Sequence, residues 1–164
     1  MDKQDIIAQI EDADRRLAVF STVDSETFKR SYAPGKWTAS EILAHLSYVD
    51  VAFYYRFLKG AAEDGSEIVP FDENVWQGAL EAQRIPAAAS IAVIRGVHAG
   101  IVHYLRILPE ATLDRVSHHP ERGPMSALRL AKVLAGHTHH HLGQLEAIRE
   151  GRGWTRAEAV AYWD

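Results

Sequence analysis

Two histidines, His137 and His141, stand four residues apart in the run Leu134-Ala135-Gly136-His137-Thr138-His139-His140-His141-Leu142-Gly143-Gln144. On a helix that spacing stacks both imidazoles on one face, with Cβ atoms about 5–6 Å apart, so that one metal ion can take both. His45, in a separate helical segment, could complete a facial set of three. The chain has no cysteine, so any metal must be held by histidine and carboxylate. Imidazole ligation suits zinc, nickel, copper or iron. The run is internal and broken by Thr138, unlike an expression tag.

Helical rotation sorts these histidines. At about 100° per residue, with His137 at the origin, Leu130 and Ile148 fall near ~20°, His141 near ~40° and Leu134 near ~60°. The pair therefore shares the direction of an apolar stripe. Gln144 at about 340° and His140 at about 300° flank that stripe, whereas His139 at about 200° is expected to face solvent. On the earlier segment, with Ile42 at the origin, His45 at about 300° borders the stripe of Ile42, Leu46 and Val49. One inward histidine alone reads as a hydrogen-bonded core residue. Burying several without partners costs about 1–3 kcal/mol each, which favours a shared ligand. His98 occupies a stripe position elsewhere, and its simplest reading is a buried ring bonded to a backbone carbonyl or to Tyr104. His118 and His119 read as solvated loop residues. Asp72 and Asn74, near Trp76, either cover a cavity mouth or cap a short helix, the cap being the simpler reading.

The elements that must position these groups are helical nearly throughout. Ile6, Ile10, Ala13, Leu17 and Phe20 mark a first amphipathic helix. A loop from about Ser21 to Trp37 carries the Pro34-Gly35 turn signal. Thr38 and Glu41 form a capping box that opens a second helix through Ile42, Leu46, Val49, Phe53 and Phe57 to about Lys59. Residues 60–80 are turn-rich and irregular. A third helix begins near Pro86 and carries Ile91, Ile94, His98, Ile101, Leu105 and Leu108. After a loop from Pro109 to Gly123, Pro124 is expected to start the fourth helix and Gly151 to end it. Thr155 and Glu158 suggest another capping box and a short closing helix. Four such helices joined by unequal connections predict an all-α four-helix bundle in which crossover connections are possible.

The 164 residues fit one domain spanning 1–164. Hydrophobic residues at 47% and charged residues at 24% are ordinary for a globular chain. A net charge of −4 without a basic block argues against nucleic-acid and polybasic membrane partners. No apolar run approaches the ~20 residues of a membrane span. The start, Met-Asp-Lys-Gln-Asp, lacks a secretory signature, so the expected location is the cytoplasm.

The segment Trp37-Thr38-Ala39-Ser40-Glu41-Ile42-Leu43-Ala44-His45-Leu46 resembles the second-helix signature of the DinB-like superfamily, which includes YfiT-type metal-dependent hydrolases. The segment from His137 to Gln144 resembles its fourth-helix signature, and the Gly123-Pro124-Met125 turn fits as well. The resemblance covers essentially the whole chain. It implies an up-down-down-up bundle, one divalent metal on His45, His137 and His141, a non-ligating histidine at His140, and commonly a dimer. Family activities include transfer or isomerisation reactions that use low-molecular-weight thiols such as bacillithiol or mycothiol.

Three neutral histidines leave an ion its full charge and an open coordination position, as in catalytic sites. The expected protein is therefore a metal-dependent thiol transferase or hydrolase acting on a small-molecule substrate. Its cofactor is a divalent transition metal (zinc, nickel or iron), and a homodimer is expected. His140 and Gln144 are the candidate catalytic groups, Gln144 by orienting a ligand. His98 and Asp50 are further candidates for a base. The alternative is a non-catalytic, metal-stabilised bundle that binds a small ligand or a partner protein.

Overall fold

A computed structural model describes residues 2–159. Four long helices form the frame: α1 (Lys3–Ala18), α2 (Ala39–Ala62), α4 (Ala87–Ile107) and α6 (Ala127–Glu150). Two short helices, α3 (Glu73–Ala79) and α5 (Glu110–Leu113), lie in the connections. A hairpin of β1 (Val116–His119) and β2 (Gly123–Ser126) precedes α6.

Three of the four long helices start where a side chain provides an acceptor for the exposed N–H groups, and α4 starts at Pro86 without one. Asp2 and Asp5 make a reciprocal capping box on α1. On α2, Thr38 N donates to Glu41 Oε2 at 2.8 Å and Glu41 N donates to Thr38 Oγ1 at 3.3 Å, the expected box. The fourth frame helix departs from expectation. Pro124 lies in β2, paired with His118, and Ser126 caps α6 by accepting from Arg129 N at 3.1 Å. Gly151, with φ 69°, ends α6 as expected, because a left-handed residue there costs glycine little. The Thr155–Glu158 capping box also forms, around a single 3-10 turn at Arg156–Glu158; anything beyond Ala159 lies outside the described residues.

Side-chain pairs fix the order and direction of the helices. Arg16 meets Glu146 and Gln9 meets His139, so α1 and α6 run parallel. His45 meets His137, while the position of Gly60 abuts Leu130, so α2 runs antiparallel to α6. Asp50 pairs with His98 and Phe57 packs near Tyr104, which makes α2 and α4 parallel. Asp14 pairs with His98 and Glu11 with Arg106, which makes α1 and α4 antiparallel. The result is up-down-down-up, with α1 diagonal to α2 and α4 diagonal to α6. The connection 63–86 joins the parallel α2 and α4 and so runs back along the bundle, while 19–38 and 108–126 cross its ends between diagonal helices.

The apolar stripes build two core clusters. One contains Ile6, Ile10, Val49, Phe53, Phe57, Ile101, Leu105, Leu130 and Leu134. The other contains Leu17, Phe20, Ile42, Leu46, Ile91, Ile94, Leu142 and Leu145. Burying each such side chain contributes about 1.5–3 kcal/mol. At the seam between them lie the buried polar residues His45, Asp50, His98, His137, Thr138 and His141. Helix α4 corrects one expectation, being long and apolar enough in length and composition to cross a membrane. Here it buries Ile94, His98, Ile101 and Leu105 in the bundle.

Candidate metal centre

Helix α2 presents His45 and α6 presents His137 and His141, one turn apart, to the same buried space. The three are 1%, 2% and 7% exposed. One ring nitrogen of each lies within 4.8 Å of the others. His45 Nε2 and His137 Nε2 are 3.1 Å apart, and the ring centroids of His45 and His141 are 4.7 Å apart. Burial pushes His45 down to about 4, with His140 adding repulsion, and pushes His137 and His141 well below the ordinary histidine value. All three are therefore neutral near pH 7.

Their neighbours set which nitrogen keeps a lone pair. Gln144 Oε1, which only accepts, lies 2.8 Å from His141 Nδ1, so Nδ1 carries the proton and Nε2 is free. Tyr48 Oη lies 2.9 Å from His45 Nδ1 and 3.0 Å from Gln77 Oε1. Gln77 Oε1 also only accepts, so the phenol proton goes there and the phenol oxygen receives the proton of Nδ1. Gln77 Nε2 in turn donates to Glu41 O at 3.2 Å. His45 Nε2 is thus left with its lone pair toward the other two rings. A donor set of three neutral imidazoles around one space, two of them with the lone pair turned inward by a fixed partner, fits a divalent transition ion.

Aromatic rings enclose this space. Trp37 lies 4.8 Å from His45 and stacks at 6.4 Å on His141, centroid to centroid. Tyr48 packs against Trp76, which stacks on Phe71 at 4.3 Å. Asp72 caps α3, accepting from Asn74 N and Val75 N, which agrees with the simpler sequence reading. Phe71 and Trp76 also line a cavity of about 290 Å³ with Tyr55, Arg56 and Lys59. Glu73 Oε2 lies 3.8 Å from His45 Nε2. Burial raises the Glu73 carboxyl against the opposing pull of Arg56 and Arg122.

The other candidates are placed differently. His140 is half-buried, its ring edge-on to His141 at 5.0 Å and to Trp154 at 5.1 Å. His139 does not face solvent: it accepts from Arg16 at Nδ1 and donates to Gln9 O from Nε2. His98 bonds neither Tyr104 nor a carbonyl. It lies between Asp14 at 2.7 Å and Asp50 at 3.2 Å. Burial alone would lower it, but hydrogen bonds and charge from both carboxylates outweigh that and hold it raised to about 9. Asp50 and His98 thus occupy each other instead of serving as a free base. His118 is exposed as expected, but His119 is buried and accepts from Glu121 N. Tyr48, Glu73 and Gln77 were missed from the sequence; the only hint was Tyr48, three residues beyond His45 on the same face.

Comparison with known proteins agrees with this geometry. The family model of the DinB superfamily matches residues 10–145. A Geobacillus kaustophilus protein named "putative metal-dependent hydrolase" is 30% identical over 87% of this chain and 80% of its own. One of the same name from Oceanobacillus iheyensis is 28% identical over 90% of this chain and 86% of its own. Among solved structures, YfiT from Bacillus subtilis, described as a probable metal-dependent hydrolase with an unusual four-helix bundle topology, superposes with a TM-score of 0.81. It is 22% identical, over 93% of this chain and 89% of its own. A mycothiol-dependent maleylpyruvate isomerase superposes with a TM-score of 0.69 at 15% identity, over 88% of this chain and 61% of its own.

Proposed function

This chain belongs to the DinB superfamily, and from that premise we propose that it is a single-domain, metal-dependent enzyme. Its divalent ion is held by His45, His137 and His141, and its substrate is a small electrophile attacked by water or a low-molecular-weight thiol. The observation that carries this reading is the convergence of three buried, neutral imidazoles, two of them with the lone pair turned inward by a fixed partner. When bound, such an ion lowers the pKa of a water or thiol and neutralises charge that develops on the substrate.

The chain's own groups do the rest. Gln144 and Tyr48 keep the protons of His141 and His45 on the nitrogens away from the ion. Trp37 excludes water from one side. His140 is the titratable ring beside His141 and takes the proton of the nucleophile in this reading. The cavity lined by Arg56 and Lys59 against the single carboxylate of Glu67 carries a net positive charge, which supports an anionic reactant such as a carboxylate-bearing thiol. The mycothiol dependence of the isomerase that shares this fold supports thiol transfer, and the names of the sequence relatives support hydrolysis. A cytoplasmic homodimer completes the proposal, supported by the exposed, largely apolar face of α4 that carries Val93 and Ile107.

Elemental analysis of untagged protein purified without chelator is expected to find one transition ion per chain, and His141→Ala to lose it. Metal-loaded protein is then screened against several thiols with small electrophiles. Turnover in wild type and none in His141→Ala is expected. Stoichiometric metal with no turnover, and a melting temperature that collapses on chelation, would favour a metal-stabilised binding module instead.

A further inference from the structure

We propose that Glu73, carried by α3, is a fourth protein ligand of the ion, so that the resting site has three histidines and one carboxylate. This rests on the reading of His45, His137 and His141 as the metal centre. Glu73 Oε2 is 3.8 Å from His45 Nε2, the nitrogen that faces His137 Nε2 at 3.1 Å. Two ligands each ~2.1 Å from a tetrahedral ion stand about 3.4 Å from one another. On the His45 side the carboxylate oxygen is therefore within a few tenths of an ångström, roughly, of a ligand-to-ligand edge, and it lies outside the tight cluster of the three rings, so it must swing inward to complete the set. Its side chain is 44% exposed, which leaves it free to make that adjustment.

Two further observations separate this contact from a chance approach. The first is that α3 is tethered to the site. Glu73 O lies 3.3 Å from Tyr48 Oη, and Gln77, one turn later, takes the proton of the same hydroxyl at 3.0 Å. That phenol is the group that orients His45, so the carboxylate and the ligand it approaches share one anchor. The second is the direction of the charge. Arg56 and Arg122 act on the Glu73 carboxylate from further away, yet among the described residues its ion-pair-range contact is the His45 ring. A half-buried carboxylate that turns to an imidazole instead of to either arginine supplies negative charge where the ion would sit. The inference also gives the segment 71–80 a function. An incoming anionic nucleophile would take the position Glu73 leaves, and opening the site would then move α3.

The test uses Co(II), whose visible absorption reports coordination number and ligand set, on wild type, Glu73→Gln, Glu73→Asp and, as a control for loss of a nearby carboxylate, Glu67→Gln. Removing even an outer partner of a metal ligand weakens affinity about 10–100-fold, so Glu73→Gln is expected to lose at least that much in chelator competition. Its spectrum is expected to shift as well, with partial recovery in Glu73→Asp and none of this in Glu67→Gln. Wild-type affinity and spectrum in Glu73→Gln would overturn the proposal while leaving the three-histidine site intact. Absence of a Co(II) spectrum in wild type, or wild-type binding by His141→Ala, would overturn both.

Discussion

At the scale of the residue, the site depends on where two protons sit. His141 gives its Nδ1 proton to Gln144, and His45 gives its own to Tyr48. Gln144→Leu keeps much of the side-chain volume and removes the acceptor, so Nδ1 loses the bond that fixes ring and tautomer. Metal affinity is expected to fall about 10–100-fold, read by competition with a chromogenic chelator. An unchanged dissociation constant would show that packing alone orients His141. The sequence exposed His137 and His141 because two residues four apart on one helix obey a rotation rule that needs no tertiary information, whereas His45 joined them through the family resemblance. The same rule misplaced His139. It measured the angle from the stripe of α6 alone, whereas the parallel α1 brings Arg16 and Gln9 to the opposite side. Likewise, no pattern local to α4 announces that Asp14 and Asp50 come from two other helices to flank His98.

At the scale of the element, the frame helices were legible and the connections were not. Stripes and capping boxes repeat over many residues, so Ile6 to Phe20 and Thr38 to Phe57 marked α1 and α2 without ambiguity. Strands of four residues, one containing Pro124, are too short for alternation to register, and the hairpin was read as loop. Glycine marks where this hairpin meets the bundle. A Cβ at Gly60 of α2 would lie 2.7 Å from Ser117 Oγ of β1 and 3.9 Å from its Cβ. Gly60→Ala gains about 1 kcal/mol of helix propensity but incurs about 1–3 kcal/mol of overpacking. We expect it to lower stability unless Ser117 yields. Ser117→Ala removes the clashing oxygen and also the 2.9 Å bond with Ser66. In a urea-denaturation cycle the double variant is expected to be more stable than the sum of the singles by about 1 kcal/mol. Additive effects would mean that the hairpin shifts freely on α2.

At the scale of the molecule, the two apolar clusters meet at a polar seam, and His98 ties that seam together. Asp14 belongs to α1, Asp50 to α2 and His98 to α4, and Thr138 of α6 lies 3.5 Å from His98 Nε2. All four frame helices thus converge on one imidazolium. Removing one partner of such a buried pair costs about 3–5 kcal/mol, the loss expected for His98→Gln. The pair also sets a pH dependence. An unfolded histidine titrates near ~6.5, whereas folded His98 is raised to about 9. Its stabilisation is fully present below the unfolded value and is lost as pH rises through about 9. His45 works in the opposite sense. Its folded value is lowered to about 4, so its stabilisation is present above the unfolded value and is lost as pH falls toward about 4. Metal-free protein is therefore expected to be most stable near pH ~6.5, with a urea midpoint that declines on both sides. In His98→Gln the alkaline decline should vanish while the acid decline persists, because the two limbs belong to different groups in the seam. Equal midpoints for wild type at pH ~6.5 and pH ~9 would mean that His98 is neutral in the fold and that its two carboxylates hold it by hydrogen bonding alone.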